Sequence, residues 1–187
     1  MLRHQINDEV HLELLETRHA EELYRLTDRN RDRLREWLPW LNGTRGMEDS
    51  EAFIRTSLQH FANANGGNFG VFYRGQMAGC IGLHNIDWGN RKTSIGYWLG
   101  ADFQRRGIMT LACGAILDYV FGELELNRAE IRAAEFNARS RAIPERLGFT
   151  NEGKIRQAEW LYDHYVDHVV YGMLRDEWLQ RRKEGQH

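Results

Sequence analysis

Apolar residues at Ile108, Leu111, Ala112, Ala115, Ile116 and Tyr119 recur at the spacing of one helix face. Just before them, Ser94 to Leu99 alternates as a strand does. The same reading extends along the chain. Val10 to Leu15 is a first strand. Thr17 is placed to cap a helix running through Ala20, Leu23, Tyr24 and Leu26. A second helix over Arg31 to Leu38 stops at Pro39. A third, from Glu48 to Ala64, carries Phe53, Ile54, Leu58 and Phe61 on one face and is broken by Asn65-Gly66-Gly67-Asn68. Phe69 to Tyr73 and Met77 to Ile86 then flank a hairpin turn at Arg74-Gly75-Gln76, and Trp88-Gly89-Asn90 turns into the strand ending at Leu99. Beyond the helix opened by Gly107, Ala129 to Glu135 is a strand, and a strand–helix–strand crossover implies a parallel pair. A helix over Ala138 to Leu147, a hairpin of Thr150 to Leu161 with His164 to Leu174, and a terminal helix over Asp176 to Lys183 complete the chain. The pattern predicts an α+β fold, a mixed but mostly antiparallel sheet of about seven strands with helices on both faces.

Composition narrows the function classes. The 187 residues favour one domain, and 42% hydrophobic content suffices for a sizeable core. A formal net charge of -2 argues against a nucleic-acid binder held by bulk charge. The only cysteines, Cys80 and Cys113, lie in apolar surroundings and read as buried reduced thiols. The residues Met1 to Asp8 lack the apolar run of a signal peptide, and no stretch is apolar enough to span a bilayer. The expectation is a soluble cytoplasmic protein.

The candidate chemistry sits between the alternating strand and the helix, in Gln104-Arg105-Arg106-Gly107. The first turn of a helix carries N–H groups with no intrahelical partner and the positive end of its dipole. A glycine there lets an anion approach the backbone. Strand, basic turn, glycine and helix together form a cradle for a pyrophosphate; an ordinary junction with solvated arginines has the same local pattern.

Gln104-Arg105-Arg106-Gly107-Ile108-Met109 resembles the Gln/Arg-x-x-Gly-x-Gly/Ala signature of the GNAT N-acetyltransferase superfamily, departing from it at Met109. The Gly-Ile-Met form resembles the branch that acetylates protein N-termini, the ribosomal-protein-alanine and ribosomal-protein-serine acetyltransferases (RimJ/RimL-like). Arg35-Glu36-Trp37-Leu38-Pro39-Trp40-Leu41 resembles the tryptophan-rich segment of that branch. Asn90 to Trp98 resembles its central strand, and Asn137-Ala138-Arg139-Ser140 followed by Leu147-Gly148-Phe149 resembles the superfamily's second coenzyme A element. The ordered match runs from about Leu12 to Trp178, so the resemblance implies one N-acetyltransferase domain over residues 1–187 with its core at about 10–178. It also implies acetyl-coenzyme A as co-substrate, with no metal. Leu99, Gln104, Arg105, Arg106, Gly107, Ile108, Met109, Asn137 and Ser140 are the implied cofactor-binding residues. In the superfamily's fold the two parallel strands splay, pantetheine lies in the gap, and a main-chain N–H near Leu99 faces the oxyanion. Asn137 is also placed as an N-cap.

Acetyl transfer to an amine needs a proton acceptor, an oxyanion donor and a partner for the departing thiolate. The superfamily often uses a tyrosine beside the thiolate; aligning its segment here puts Pro144 at that position, and proline has no proton to give. Ser140 lies one helical turn earlier, and Pro144 lacks the N–H that would bond the Ser140 carbonyl. The Ser140 hydroxyl is therefore the candidate partner of the sulfur, its alternative being a helix serine bonded to backbone. Glu159 is the candidate base, acting through water, with Glu135 as a rival and a solvated strand carboxylate as the alternative. His164 and His168 would share a face on a helix, but the segment is β-rich, and four strand residues span about 13 Å, too far for one metal. Trp37 and Trp40 are candidates for walling the acceptor pocket, or for core packing alone. The resulting expectation is a homodimeric enzyme that acetylates a protein N-terminus, without nucleic acid or membrane. A small-molecule amine acetyltransferase and a non-catalytic coenzyme A sensor are the alternatives.

Overall fold

The computed structural model describes residues 2–184. Met1 and residues 185–187, the two ends of the expected 1–187 span, lie outside the described residues. The strands are β1 (Arg3–Gln5), β2 (Val10–Leu14), β3 (Gly66–Tyr73), β4 (Gln76–Asp87), β5 (Lys92–Leu99), β6 (Arg128–Ala134), β7 (Thr150–Leu161) and β8 (His164–Leu174). The helices are α1 (Ala20–Arg29), α2 (Arg31–Arg35), α3 (Met47–Ala62), α4 (Ile108–Asp118), α5 (Ala138–Leu147) and α6 (Arg175–Glu184). The strands form one sheet in the order β1-β2-β3-β4-β5-β6-β8-β7. Every neighbouring pair is antiparallel except β5 with β6.

Two clusters of buried residues occupy the two faces. On one, Phe69, Val71, Ile81, Leu83 and Ile95 of the strands pack with Ile108, Ala112, Ile116 and Leu117 of α4 and with Trp178 of α6. On the other, Phe72, Met77 and Cys80 pack with Leu23 and Leu26 of α1 and Ile54 of α3. Burying an aliphatic side chain gains about 1.5–3 kcal/mol. Such packing fixes α4, whose 11 residues would be marginal as an isolated helix, and with it the position of the helix's first turn. Burial raises the Cys80 thiol to about 12 and pushes the Cys113 thiol further up, so both remain protonated and unreactive.

The sheet has eight strands rather than about seven. The extra one, β1, is three exposed residues with no apolar pattern to betray it. Thr17 does not cap α1: Glu16 caps a 3-10 turn over Thr17–His19, and α1 begins after it. The second helix ends at Arg35 rather than Leu38, because the Trp37 and Leu38 N–H groups both turn back to the Leu34 carbonyl ahead of Pro39. The break after α3 falls at Asn63–Asn65, where Ala64 has φ 54°, and Gly66 to Asn68 already belong to β3.

What positions the site is the divergence of β5 and β6. They pair only at Lys92↔Arg128, Thr93↔Ala129 and Ser94↔Glu130. Beyond that β5 continues to Leu99 and β6 to Ala134 with no shared register. The Gly100 N–H donates to the Ala78 carbonyl at 2.8 Å, and the Trp98 carbonyl lies against Gly79, where a Cβ would meet it at 2.2 Å. These groups therefore face β4. Because strand directions alternate, the N–H and C=O of Tyr97 and Leu99 point the other way, into the gap.

Candidate active site in the gap between two parallel strands

A cavity of about 720 Å³ opens in this gap. Its walls come from Tyr97, Trp98 and Leu99 of β5, from Gln104, Arg105 and Gly107 of the turn, from Met109 of α4, and from Asn137 and Ser140 at the start of α5. The outer wall is Arg33, Trp37 and Leu38. Gly107 adopts φ 72°, and Arg105, two residues earlier, adopts φ 61°. A left-handed conformation is routine for glycine and costs other residues. A Cβ added at Gly107 would meet nothing within 4 Å: the position is open towards the cavity, and its glycine is required by the backbone and by access. The first N–H groups of α4 lie directly beyond it.

Arginines crowd this mouth. Arg33 and Arg139 both donate to the single side-chain oxygen of Gln104, the second at 3.2 Å. Burial, then Arg139, lowers the pKa of the Arg33 guanidinium, with Arg105 adding to the repulsion and Glu36 opposing it. Arg146 lines the same cavity. Several guanidiniums facing Glu36 as the one carboxylate on the wall form a site for a polyanion, and a pyrophosphate fits the donors present.

At the other end, the Asn137 side chain accepts the Ser140 N–H at 3.1 Å, so Asn137 is both the α5 cap and part of the wall. Ser140 is half-buried. Pro144 sits inside α5 as aligned, and the Ser140 carbonyl it leaves is taken by the Tyr97 hydroxyl at 2.9 Å.

Not every residue picked from the sequence reaches the cavity wall. Ile108 is buried in the core, and Arg106 turns away to stand over the Tyr73 ring at 5.6 Å; neither side chain lines the cavity. Trp40 packs behind the wall, tilted against Trp98 at 6.3 Å between ring centroids. Glu159 does not line the cavity: its carboxylate is 3.3 Å from Nε2 of His168, and His168 is registered with Ala134, the last residue of β6. Glu159 is thus two strands from the end of the gap. The turn after it closes on the tryptophan segment, where the Tyr162 hydroxyl donates to the Leu38 carbonyl at 2.5 Å. Glu135 is paired with Lys154 at 3.1 Å. His164 and His168 stand on a strand, bonded to Asp163 and Glu159 respectively. Among the described residues no group of three or more His, Cys, Asp or Glu is gathered to hold a metal ion.

Several wall residues carry no signal of a site role in the sequence, among them Arg33, Arg146 and Tyr97, whereas Phe136, 82% exposed at the rim, stands at the end of the strand gap as the resemblance implies. Arg139 stands out in the sequence only as part of the Asn137–Ser140 motif. Arg33 is 71 residues from Gln104, and no local pattern links the two.

A family model described as an acetyltransferase (GNAT) domain matches residues 9–150. The chain is 40% identical over 174 residues to the putative ribosomal N-acetyltransferase YdaF of Bacillus subtilis (strain 168), covering 92% of this chain and 95% of that one. Among solved structures it is similar to RimL, a ribosomal α-N-protein acetyltransferase in complex with coenzyme A, at 25% identity and TM-score 0.89, over 92% of this chain and 98% of that one. It is also similar to MccE, a microcin self-immunity acetyltransferase in complex with acetyl-CoA and AMP, at 32% identity and TM-score 0.87, over 90% and 94%. Among the described residues no helix is long and apolar enough to cross a membrane.

Proposed function

The chain belongs to the GNAT acetyltransferase family and uses acetyl-coenzyme A, and from that premise we propose that it acetylates the N-terminal α-amine of a protein, a ribosomal protein in particular. One observation carries the acetyl-transfer part of this reading: the unpaired edge of β5, the Gly107 turn and Ser140 converge on a single cavity. The names of YdaF and RimL support the acceptor class, and a ribosomal acceptor would place the enzyme in the cytoplasm.

In this reading each residue has a task set by its position. The arginine-lined turn and the first N–H groups of α4 hold the pyrophosphate. The inward N–H and C=O of Tyr97 and the C=O of Leu99 pair with the amides of pantetheine. The Leu99 N–H is the oxyanion donor, a role whose loss typically costs about 10²–10³ in rate. Asn137 orders the start of α5, and the Ser140 hydroxyl bonds the departing sulfur. Glu159 withdraws the proton from the amine through water, since its carboxylate does not line the cavity. Trp37 borders the acceptor, and Trp40 supports it from behind.

The discriminating experiment is initial-rate coenzyme A release across an acceptor panel. Peptides beginning with Ser or Ala should be turned over; spermidine and an aminoacyl-nucleotide analogue should not. A small-molecule acceptor is the second reading, favoured by the AMP held by MccE. Turnover of the nucleotide-linked amine alone would establish it in place of the first. Coenzyme A binding with no turnover of any amine would indicate a sensor.

We also propose a homodimer. The edge strand β7 is exposed along nearly its whole length, and its Trp160 stacks edge to face on the register partner Tyr165 of β8 at 4.8 Å between centroids, both rings exposed. Folded proteins cover such edges. Sedimentation at micromolar concentration should give twice the chain mass; the single mass would refute the assembly.

A further inference from the structure

Ser140 sits in the first turn of α5 with its backbone secured from outside the regular helix ladder at both ends. Its N–H is accepted by the Asn137 side chain at 3.1 Å. Its C=O should accept the N–H of the residue four positions on, which is Pro144. Proline has no N–H to give, and its ring crowds the carbonyl four residues back. An orphaned carbonyl in a half-buried turn is destabilising. The Tyr97 hydroxyl meets that need at 2.9 Å. Tyr97 comes from β5, on the opposite side of the gap, and its ring packs against the main core cluster beneath α4. With both backbone groups engaged, the hydroxyl is the one polar group of Ser140 left to address the cavity it lines. Burial pushes the Tyr97 phenol well above the ordinary tyrosine range, so it remains a protonated donor wherever the enzyme works.

We propose that Tyr97 is a positioning residue for acetyl transfer: its hydroxyl replaces the helix hydrogen bond that Pro144 removes, and so holds the Ser140 hydroxyl against the gap. Tyr97 and Pro144 are then one device. The proline frees a carbonyl, and the tyrosine uses it to tie α5 to β5 across the slot. The proposal rests on the reading that Ser140 bonds the departing sulfur.

The test is a set of variants on the full chain: Tyr97→Phe, Pro144→Ala, the two combined, and Tyr97→Phe in a Ser140→Ala background. Phenylalanine keeps the ring and its packing and deletes only the hydroxyl. Tyr97→Phe should lower kcat about tenfold, since small misplacements at a reacting centre are costly, with KM for acetyl-coenzyme A nearly unchanged. Alanine at 144 restores the helical N–H. The combined variant should therefore regain kcat to within about threefold of Pro144→Ala alone, given that a helix hydrogen bond is worth about as much as the one lost. In the Ser140→Ala background Tyr97→Phe should cost nothing further. Full kcat in Tyr97→Phe would overturn the proposal, as would a loss that alanine at 144 does not repair. A Ser140→Ala variant with full kcat would instead refute the role of Ser140, and a Tyr97→Phe defect persisting in that background would show that Tyr97 acts by another route.

Discussion

Glutamate in place of Gly107 is expected to abolish useful binding of acetyl-coenzyme A while the fold survives. Two independent penalties act together. The residue is held at φ 72°, where a side chain other than glycine costs about 1–2 kcal/mol. The new carboxylate would also stand in open space on the cavity wall that Gly107 shares with Arg105 and Arg139, where the pyrophosphate is read to bind. It would neutralise the arginines and repel the phosphates. A turn that relaxes to relieve the strain no longer presents the cradle, so both penalties fall on binding, and a combined loss of about 3 kcal/mol corresponds to about 100-fold in affinity. Gly107→Asn separates the two contributions, because asparagine tolerates the left-handed region and carries no charge; it should lose about tenfold or less. Calorimetric titration reads both variants, with circular dichroism to show the helices intact. Wild-type affinity in Gly107→Glu would remove the turn from the coenzyme site.

The second large effect is expected at Glu159. Glutamine preserves shape and deletes the proton acceptor. An N-terminal α-amine has a pKa near ~8, so below that pH the acceptor arrives mainly as ammonium and must lose a proton on the enzyme. The deficit in kcat/KM should be largest there, about 100-fold, at the lower end of general-base effects. Above pH ~8 solvent supplies the free amine, and the variant should recover much of its rate. The neighbouring His168, 3.3 Å away, stays in place in both proteins, so the comparison isolates the carboxylate. A deficit of equal size at every pH would assign Glu159 to binding or structure and turn attention to Glu135.

These two residues also mark how far the sequence could be read. The Gly107 turn was legible because its requirement is local: a strand, a basic turn, a residue that must adopt positive φ, and a helix whose apolar face is continuous. The same holds for α5, β7 and β8, whose bounds fall where the pattern placed them. Asn137 was legible as a cap and proved to be wall as well. Glu159 was legible only as a strand carboxylate. Its bulged strand shifts register between Ile155 and Glu159, with Gln157 at φ 50°, and no alternation rule gives the direction of a side chain after such a shift. Contacts between distant segments were illegible throughout. Arg33 reaches Gln104 only because α2 folds over the turn, and the Trp40 ring meets that of Trp98 only through the tertiary fold. Pro144 is an intermediate case: its missing N–H announces an unbonded carbonyl in any α5, but that Tyr97 supplies the donor is a tertiary fact.

The most direct test of the central claim is to locate the acetyl group after turnover. A peptide beginning with serine, carrying one internal lysine, would be incubated with acetyl-coenzyme A and the enzyme and then sequenced by fragmentation mass spectrometry. A single acetyl mass confined to the N-terminal fragment ions, formed in step with coenzyme A release, is the expected result. Acetylation of the lysine instead, or an unmodified peptide while a small amine in the same mixture is consumed, would contradict it.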